Sequence, residues 1–529
     1  MRKKILFLFL LIGFISCSSA AINIDYPTQY VIFQRHNATT GEIIVRGTYS
    51  GGTPTSIEAK FNNDDWAILD NSPANEKFYG IINASVGNGT LYVKYSNDPL
   101  TNSSVNNIGV GDLIAISGQS NAEGRANTKY NLSASNQFMA TVHLQNNTWK
   151  MANDPVDTGS SNGSAYPLLA NYLVQNLSIP IGFISAAEGG YPLSYFRRGN
   201  GGYAILNNSI NRATNGTRKI KTIIFYQGET DAQASAGVNG SYDAYKGNLS
   251  LMASEFLSDF NVSSGKIVVT QIDFISSDYN ANRSSLDNIR KAQQDSWLEN
   301  SNITQGAITY DINLGDDLHF RTDAEVNELA RRWWMALSSS IYGVEDNNGT
   351  RLIRNISLTT NSTNSFLNMA FDKPLFISYW NGTNSSKAMG WRIVDGDNVY
   401  NDGNITSTVI SGNNLTITIN GIISNNSLVY LGSWNDAYGV PVIRGNSTAS
   451  FPALMIFGNS VVYSQDSPRQ RADVNNDSVI NVGDYTSIRG KIGNYNCNSS
   501  NNWCERADAN RDSIVNPSDY TFVRSWIGK

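Results

Sequence analysis

A serine that follows an apolar run and precedes small or polar residues can be exposed as a nucleophile. Residues 113–117 form such a run, and Gly118-Gln119-Ser120-Asn121-Ala122-Glu123-Gly124 follows it. An α/β enzyme displays a nucleophile on this kind of strand-to-helix turn, although a plain serine N-cap gives the same local pattern. A base must then be found, and the chain holds only three histidines, His36, His143 and His319. His319 closes the run Gly315-Asp316-Asp317-Leu318-His319, whereas His36 and His143 have no acid-and-serine context and read as bland surface residues. Two further runs follow strand-like segments. Ala186-Ala187-Glu188-Gly189-Gly190 offers flexible backbone N–H groups, and Tyr226-Gln227-Gly228-Glu229-Thr230-Asp231 offers a side-chain amide and carboxylates. All four lie just beyond strand ends, where open α/β sheets gather their sites.

The elements that must position these groups are legible from periodicity. Between about 106 and 343, apolar runs at 113–117, 181–187, 222–226 and 266–272 alternate with helical stretches at 165–175, 242–260, 284–298 and 323–339. The last places Val326, Leu329, Ala330, Trp333 and Trp334 on one stripe, as a core-facing helix requires. Alternating β and α elements imply a parallel sheet covered by helices on both faces. Residues 22–105 instead carry short β-branched runs broken by turn clusters, an N-terminal β-domain. Residues 344–463 read as a second, β-sandwich-like module, followed by a polar linker at 464–470 and a distinct segment at 471–529.

Together, Gly-Gln-Ser-Asn-Ala, Ala-Ala-x-Gly-Gly, Tyr-Gln-Gly-Glu-Thr-Asp and the Asp-x-x-His ending resemble the SGNH-hydrolase superfamily, in particular sialate O-acetylesterases and related carbohydrate acetylesterases. The β-domains on either side are similar to those of the same enzymes, so the likeness spans 22–463. Phe320 departs from it, since the family commonly has Pro after His. The resemblance implies an α/β, flavodoxin-like three-layer catalytic domain at 106–343. It also implies Ser120 as nucleophile, His319 as general base and Asp316 as the acid that orients it, with Asp317 as the alternative acid. The oxyanion would be held by the backbone N–H of Ser120 and of Gly190 (or Gly189) and by the Gln227 amide. Glu229 reads as a structural brace. Tyr191, Tyr195, Phe196, Arg197 and Arg198 are candidates for a glycan cleft, with a plain surface loop as the equal alternative. No catalytic cofactor is implied.

The C-terminal segment carries a different chemistry. Asp473, Asn475, Asp477, Val479 and Asp484 recur 35 residues later as Asp508, Asn510, Asp512, Ile514 and Asp519. Oxygen side chains at positions 1, 3 and 5, a backbone carbonyl at 7 and a carboxylate at 12 suit calcium in a 12-residue loop. The pair resembles a type I dockerin, a small all-α domain that would hold two structural Ca²⁺ ions and dock to a cohesin. Each loop should lead into one helix, expected at 486–491 and 522–527. Ser478 and Ser513 occupy the sixth position, where glycine would relieve a sharp turn. Cys497 and Cys504 lie between the loops. With Cys17 removed or lipidated, they are the two cysteines left to pair, which in an exported chain favours a disulfide.

Export is expected from the N-terminus. A basic start (Arg2-Lys3-Lys4), a short apolar run at 5–15 and small residues before Ala21 read as a signal peptide over 1–21, with lipidation at Cys17 as the alternative. Among 66 asparagines, 26 begin Asn-x-Ser/Thr, an excess over chance that points to N-glycosylation, with an Asn-rich genome as the bland alternative. A net charge of −5 with 16% charged residues argues against nucleic acid. No other segment is apolar enough to cross a membrane. The expectation is a secreted serine carboxylic-ester hydrolase removing acetyl groups from glycans and docked through a cohesin. The alternatives are an acetylxylan or other polysaccharide esterase, and a non-catalytic glycan-binding surface protein.

Overall fold

The computed structural model describes residues 20–157, 159–233, 240–273, 275, 283–314, 318–344, 353–424, 427–432, 441–445, 452–454, 456–460, 463–464, 472, 474–475, 480–497, 502–510 and 512–527. It begins with β1 (Ala21–Tyr26), β2 (Ile32–Gln34), β3 (Thr40–Ser50), β4 (Ile57–Phe61), β5 (Ala67–Asp70), β6 (Lys77–Ser85) and β7 (Gly87–Tyr95). β1, β3 and β6 form one antiparallel sheet, and β4 pairs with β5 and β7. In β6 the buried residues Phe78, Ile82 and Ala84 alternate with exposed ones, the two-residue period of a sheet with one face in a core.

β8 (Asn102–Gly118) connects this region to the next without a break. Its first part pairs antiparallel with β7, and Gly109–Gly111 also pairs with β2. From Asp112 to Gly118 it lies parallel between β11 (Ile181–Ala187) and, from Ile114 onward, β13 (Thr222–Tyr226). Its burial changes accordingly. Residues 102–107 alternate, while 108–118 are all buried, as in a sheet covered on both faces. The expected boundary at 105/106 therefore falls inside a single strand.

β9 (Ala140–His143) and β10 (Trp149–Met151) extend the sheet on one side, and β15 (Ile267–Val269) and β16 (Ile303–Gln305) on the other, giving the order β10-β9-β11-β8-β13-β15-β16. A separate short pair joins β12 (Lys219–Ile220) to β14 (Asn261–Val262). The helices are α1 (Ser120–Glu123), α2 (Tyr166–Leu177), α3 (Gly201–Ala213), α4 (Glu229–Ala232), α5 (Tyr242–Asp259), α6 (Arg283–Glu299) and α7 (Asp323–Ser340). α2 packs on α7, and α5 on α6. The chain leaves β8 for one side through β11 and crosses back to β13. The C-terminal ends of β8, β11 and β13 therefore lie side by side, the place where open α/β sheets form their binding crevice.

A C-terminal β module follows, with sheets of five, four and two strands between Ile353 and Ser464. Its core includes Trp391, Leu367, Ile393, Ile417 and Val429. Beyond it, Ala472, Val474, Ile488, Val515, Val523 and Trp526 form a small core of their own. The helices there are Val482–Arg489 and Pro517–Arg524, each starting earlier than the expected 486–491 and 522–527. The reason is capping. Asn481 and Asn516 are N-caps whose side chains accept backbone N–H groups, and Asp484 and Asp519 bond back to the caps. Each reciprocal box starts its helix inside the oxygen-rich loop. Cys497 and Cys504 are joined by a disulfide. Among the described residues, no helix is long and apolar enough to cross a membrane.

Candidate functional site

Ser120 opens α1 at the end of β8, and its Oγ lies 3.0 Å from Nε2 of His319, 199 residues away in sequence. The approach depends on Gly118, whose φ is +125° and where a Cβ would lie 2.0 Å from the Tyr226 carbonyl oxygen. A side chain there would push β8 off β13 and displace the serine. Gln119 supports the turn from the other side, its Oε1 accepting N–H of Gly228 (3.3 Å) and Thr230 (3.4 Å).

Asn121 binds the serine helix to the histidine segment. Its Nδ2 donates to Glu229 Oε1 (2.8 Å) and to the Leu318 carbonyl (3.1 Å), while its Oδ1 accepts from Phe320 N (3.4 Å). Phe320 is buried against Tyr226. Glu229 is buried, and its Oε2 has no hydrogen-bond partner among the described residues. Burial pushes its carboxyl up from 4.5 to about 7, against the opposing Asn121 bond. Asp231 is raised to about 6 for the same reason, despite bonds from Gln227 and Leu193 N. The brace expected of Glu229 thus runs largely through Asn121. Sequence reasoning passed over Asn121 and Gln119, although both sit inside the serine motif. Their signal was two amides flanking a serine at a strand end, where burial demands partners.

Gly190 has φ +85°, with open space where a Cβ would stand. At Gly189 a Cβ would be 3.3 Å from that of Ser120 and 3.0 Å from Glu123 Oε2. Glu123, buried beside Ser120, bonds Arg125. Burial raises its carboxyl above the usual range, and Arg125 and the Gly189 N–H work the other way.

Three expectations change. The Gln227 amide was expected to face the oxyanion, but its Nε2 donates to the Tyr191 carbonyl (3.1 Å) and to Asp231 Oδ2 (2.5 Å), while Tyr245 OH donates to its Oε1 (3.1 Å). Both amide hydrogens are used, because Gln227 is fully buried and must satisfy itself internally. His143, expected at the surface, is buried beside Trp149, and burial lowers its pKa. Of the five cleft candidates, Phe196 is buried, Arg197 forks onto Glu255 and Arg198 onto Asp259. That leaves Tyr191, exposed and stacked on Tyr195 at 3.8 Å, with Tyr195 OH donating to Glu188 Oε2 (2.6 Å). Gly315, Asp316 and Asp317 lie outside the described residues. Arg321 Nη2 is 3.4 Å from His319 Nδ1.

In the C-terminal unit, Asp473, Asp477 and Val479 lie outside the described residues. The two copies nevertheless match where both are described. Asn475 N and Asn510 N each donate at 3.1 Å to Oδ1 of Asp484 and Asp519, and Asn481 N and Asn516 N each donate at 2.9 Å to Oδ2. In the second loop Asp508 accepts from Asp512 N and Ser513 N. Asp508 and Asp519 are buried carboxylates, Asp512 is exposed and Asn510 half-buried, a donor set of hard oxygen ligands. Ser513 sits at φ +73°, the left-handed conformation expected of a sixth position.

Two stretches of the chain match known protein families. Residues 110–337 match the family model of carbohydrate esterases described as sialic acid-specific acetylesterase, and residues 471–527 match the dockerin type I domain. A carbohydrate acetylesterase from Xanthomonas citri superposes with a TM-score of 0.57 at 16% identity, covering 81% of this chain and 97% of that one. This likeness concerns the fold. A protein from Arabidopsis thaliana aligns at 22% identity over 44% of this chain and 99% of its own, with a TM-score of 0.36. No curated protein sequence matches the chain. Type I dockerin domains bind calcium, and the oxygen donors of the second loop fit that ion. The chain thus joins a carbohydrate acetylesterase-like domain, matched over residues 110–337, to a type I dockerin domain, matched over residues 471–527.

Proposed function

We propose that the protein is an exported carbohydrate O-acetylesterase working through a Ser120–His319–Asp316 triad on an SGNH-type, flavodoxin-like three-layer domain. One observation carries the reading, the 3.0 Å contact between Ser120 Oγ and His319 Nε2 beyond the end of β8. His319 Nε2 takes the Ser120 proton as Oγ attacks the acetyl carbonyl. The tetrahedral intermediate collapses, the sugar hydroxyl leaves with that proton, and water then hydrolyses the acetyl-enzyme to acetate by the same path in reverse. Asp316, or Asp317 in its place, would hold Nδ1 protonated so that Nε2 is free to act as base.

The N–H of Ser120, the first helical residue of α1, and that of Gly190 are the oxyanion donors. An α-helix leaves its first N–H groups without intrahelical acceptors, and Gly190 has open space beside it. Tyr191 offers an aromatic face for a sugar ring. Two Ca²⁺ ions, one per loop, would order the dockerin, which would tether the enzyme to a cohesin outside the cell. Hydrolysis of a chromogenic acetate ester by wild type, with its loss in Ser120→Ala, tests the reaction. A panel of O-acetylated sialic acids against acetylated xylan chooses the substrate, and activity on xylan alone would make the polysaccharide reading correct.

A further inference from the structure

The segment just before the histidine loop is held as firmly by the C-terminal β module as by its own sheet. Asp311 is fully buried and carries two guanidinium groups. Arg332 of α7 donates to both of its oxygens, at 2.6 and 3.1 Å, and Arg444, on the strand Val442–Arg444 of the β module, donates to Oδ2. Arg444 also donates through Nε to the Ser378 carbonyl (3.3 Å), inside that module. One residue earlier, Tyr310 OH donates to the Ala453 carbonyl (2.7 Å), and its ring lies against Gly432, where a Cβ would come within 2.7 Å of it. Ile308, Tyr310, Met335 and Ala336 share one buried apolar cluster with Val442 and Leu454.

A second buried arginine is a poor way to gain stability. Arg332 already pairs Asp311, and burying another guanidinium costs desolvation that an apolar side chain of the same size would avoid. What the second guanidinium adds is direction. It fixes Asp311, and with it residues 308–311, relative to the β module. Eight residues on, His319 must meet Ser120 within hydrogen-bond reach, and a misplacement of about 1 Å can cost on the order of a hundredfold in rate.

We propose that Arg444 is a positioning residue for the esterase. Acting through Asp311, it sets the approach of the His319 loop to Ser120, so the C-terminal β module is part of the catalytic unit. The proposal rests on Ser120 and His319 being the reacting pair.

The test uses the full chain with Arg444→Met, which leaves Asp311 paired with Arg332. Competent sites are counted by titration with a fluorophosphonate, and kcat and KM for 4-nitrophenyl acetate are expressed per titrated site. The expected result is a fall in kcat of about tenfold or more with KM nearly unchanged, little recovery in Arg444→Lys, and a smaller loss of the same kind in Tyr310→Phe. Wild-type kcat per titrated site in Arg444→Met, even with a lower melting temperature, would show a purely structural arginine and overturn the proposal. Should Arg444→Met not fold, Tyr310→Phe decides by the same measure, and an unchanged kcat again overturns it. A wild-type protein without esterase activity, or a Ser120→Ala variant that keeps it, would instead remove the catalytic reading and this proposal with it.

Discussion

Glu229→Gln isolates the buried carboxyl behind the serine helix. The substitution keeps the shape and the oxygen that accepts from Asn121, and removes only the ionisation. In the folded chain burial holds this carboxyl near 7, against an ordinary 4.5. Between those values the native state binds a proton that the unfolded chain has released. The associated stability is fully present below about pH 4.5 and is lost as pH rises through about 7. A shift of this size is worth about 3 kcal/mol at alkaline pH, of which roughly 2.5 kcal/mol develops between pH 5 and 8. Glutamine cannot titrate, so the variant lacks this slope. Its amide hydrogens enter the space beside Oε2, which has no partner among the described residues, at a cost of roughly 1–3 kcal/mol at every pH. The variant should therefore be less stable than wild type at pH 5 and should recover by roughly 2–3 kcal/mol relative to it at pH 8. Urea unfolding of the full chain, followed by tryptophan fluorescence at pH 5, 6.5 and 8, measures the difference on the same transition. Asp231 titrates in both proteins, and its charge adds to the upward shift at Glu229 by less than burial does. Parallel pH profiles for variant and wild type would refute the reasoning, because Glu229 would then ionise in the native state as it does in water.

Ser120→Ala and His319→Ala should each lower ester hydrolysis on the order of 10³-fold or more with the fold intact by circular dichroism; near-wild-type turnover in either would mean a different reacting pair. Asp316→Asn should reduce kcat more than Asp317→Asn, and the reverse ranking would transfer the orienting role to Asp317. Chelation should lower the melting temperature of the dockerin while leaving esterase activity in place; loss of activity that Ca²⁺ restores in a chain ending near 465 would reveal a metal in the catalytic domain. A carrier fused to 466–529 should capture a purified cohesin in Ca²⁺, and Asp473→Ala/Asp508→Ala should abolish capture; equal capture with chelator present would count against calcium-ordered docking. Ser513→Gly should strengthen calcium binding by up to about 1 kcal/mol by calorimetry, because a side chain at φ +73° carries strain that glycine lacks.

The catalytic sheet was legible because its strands are continuous apolar runs and its last helix carries a clear stripe. Ser120 and His319 could be paired from sequence because only three histidines exist and only one ends an acidic loop. Gln227 was misjudged for a reason that sequence hides. An amide at a strand end can face the crevice or the interior, and here Asp231, four residues on, turns it inward. The dockerin helices were placed too late because Asn481 and Asn516 act both as loop positions and as N-caps. Arg444 could not have been found. Its partner lies 133 residues away, and nothing local in a β-strand announces a buried arginine.

The unbroken course of β8 bears on how such enzymes can be assembled from parts. A module bounded by a linker can be exchanged by cutting the gene at the linker, and each half keeps its hydrogen bonds. Here the front sheet and the catalytic sheet share one strand, which pairs with β7 and β2 over 102–111 and with β11 and β13 over 112–118. A cut at 105/106 would strip Gly87–Gly89 of β7 from their partners at 108–110 and start the strand that leads to Ser120 with an unpaired edge. Recombination between relatives should therefore tolerate crossovers before β1 or beyond the C-terminal β module, and should inherit the front sheet and Ser120 as one heritable block.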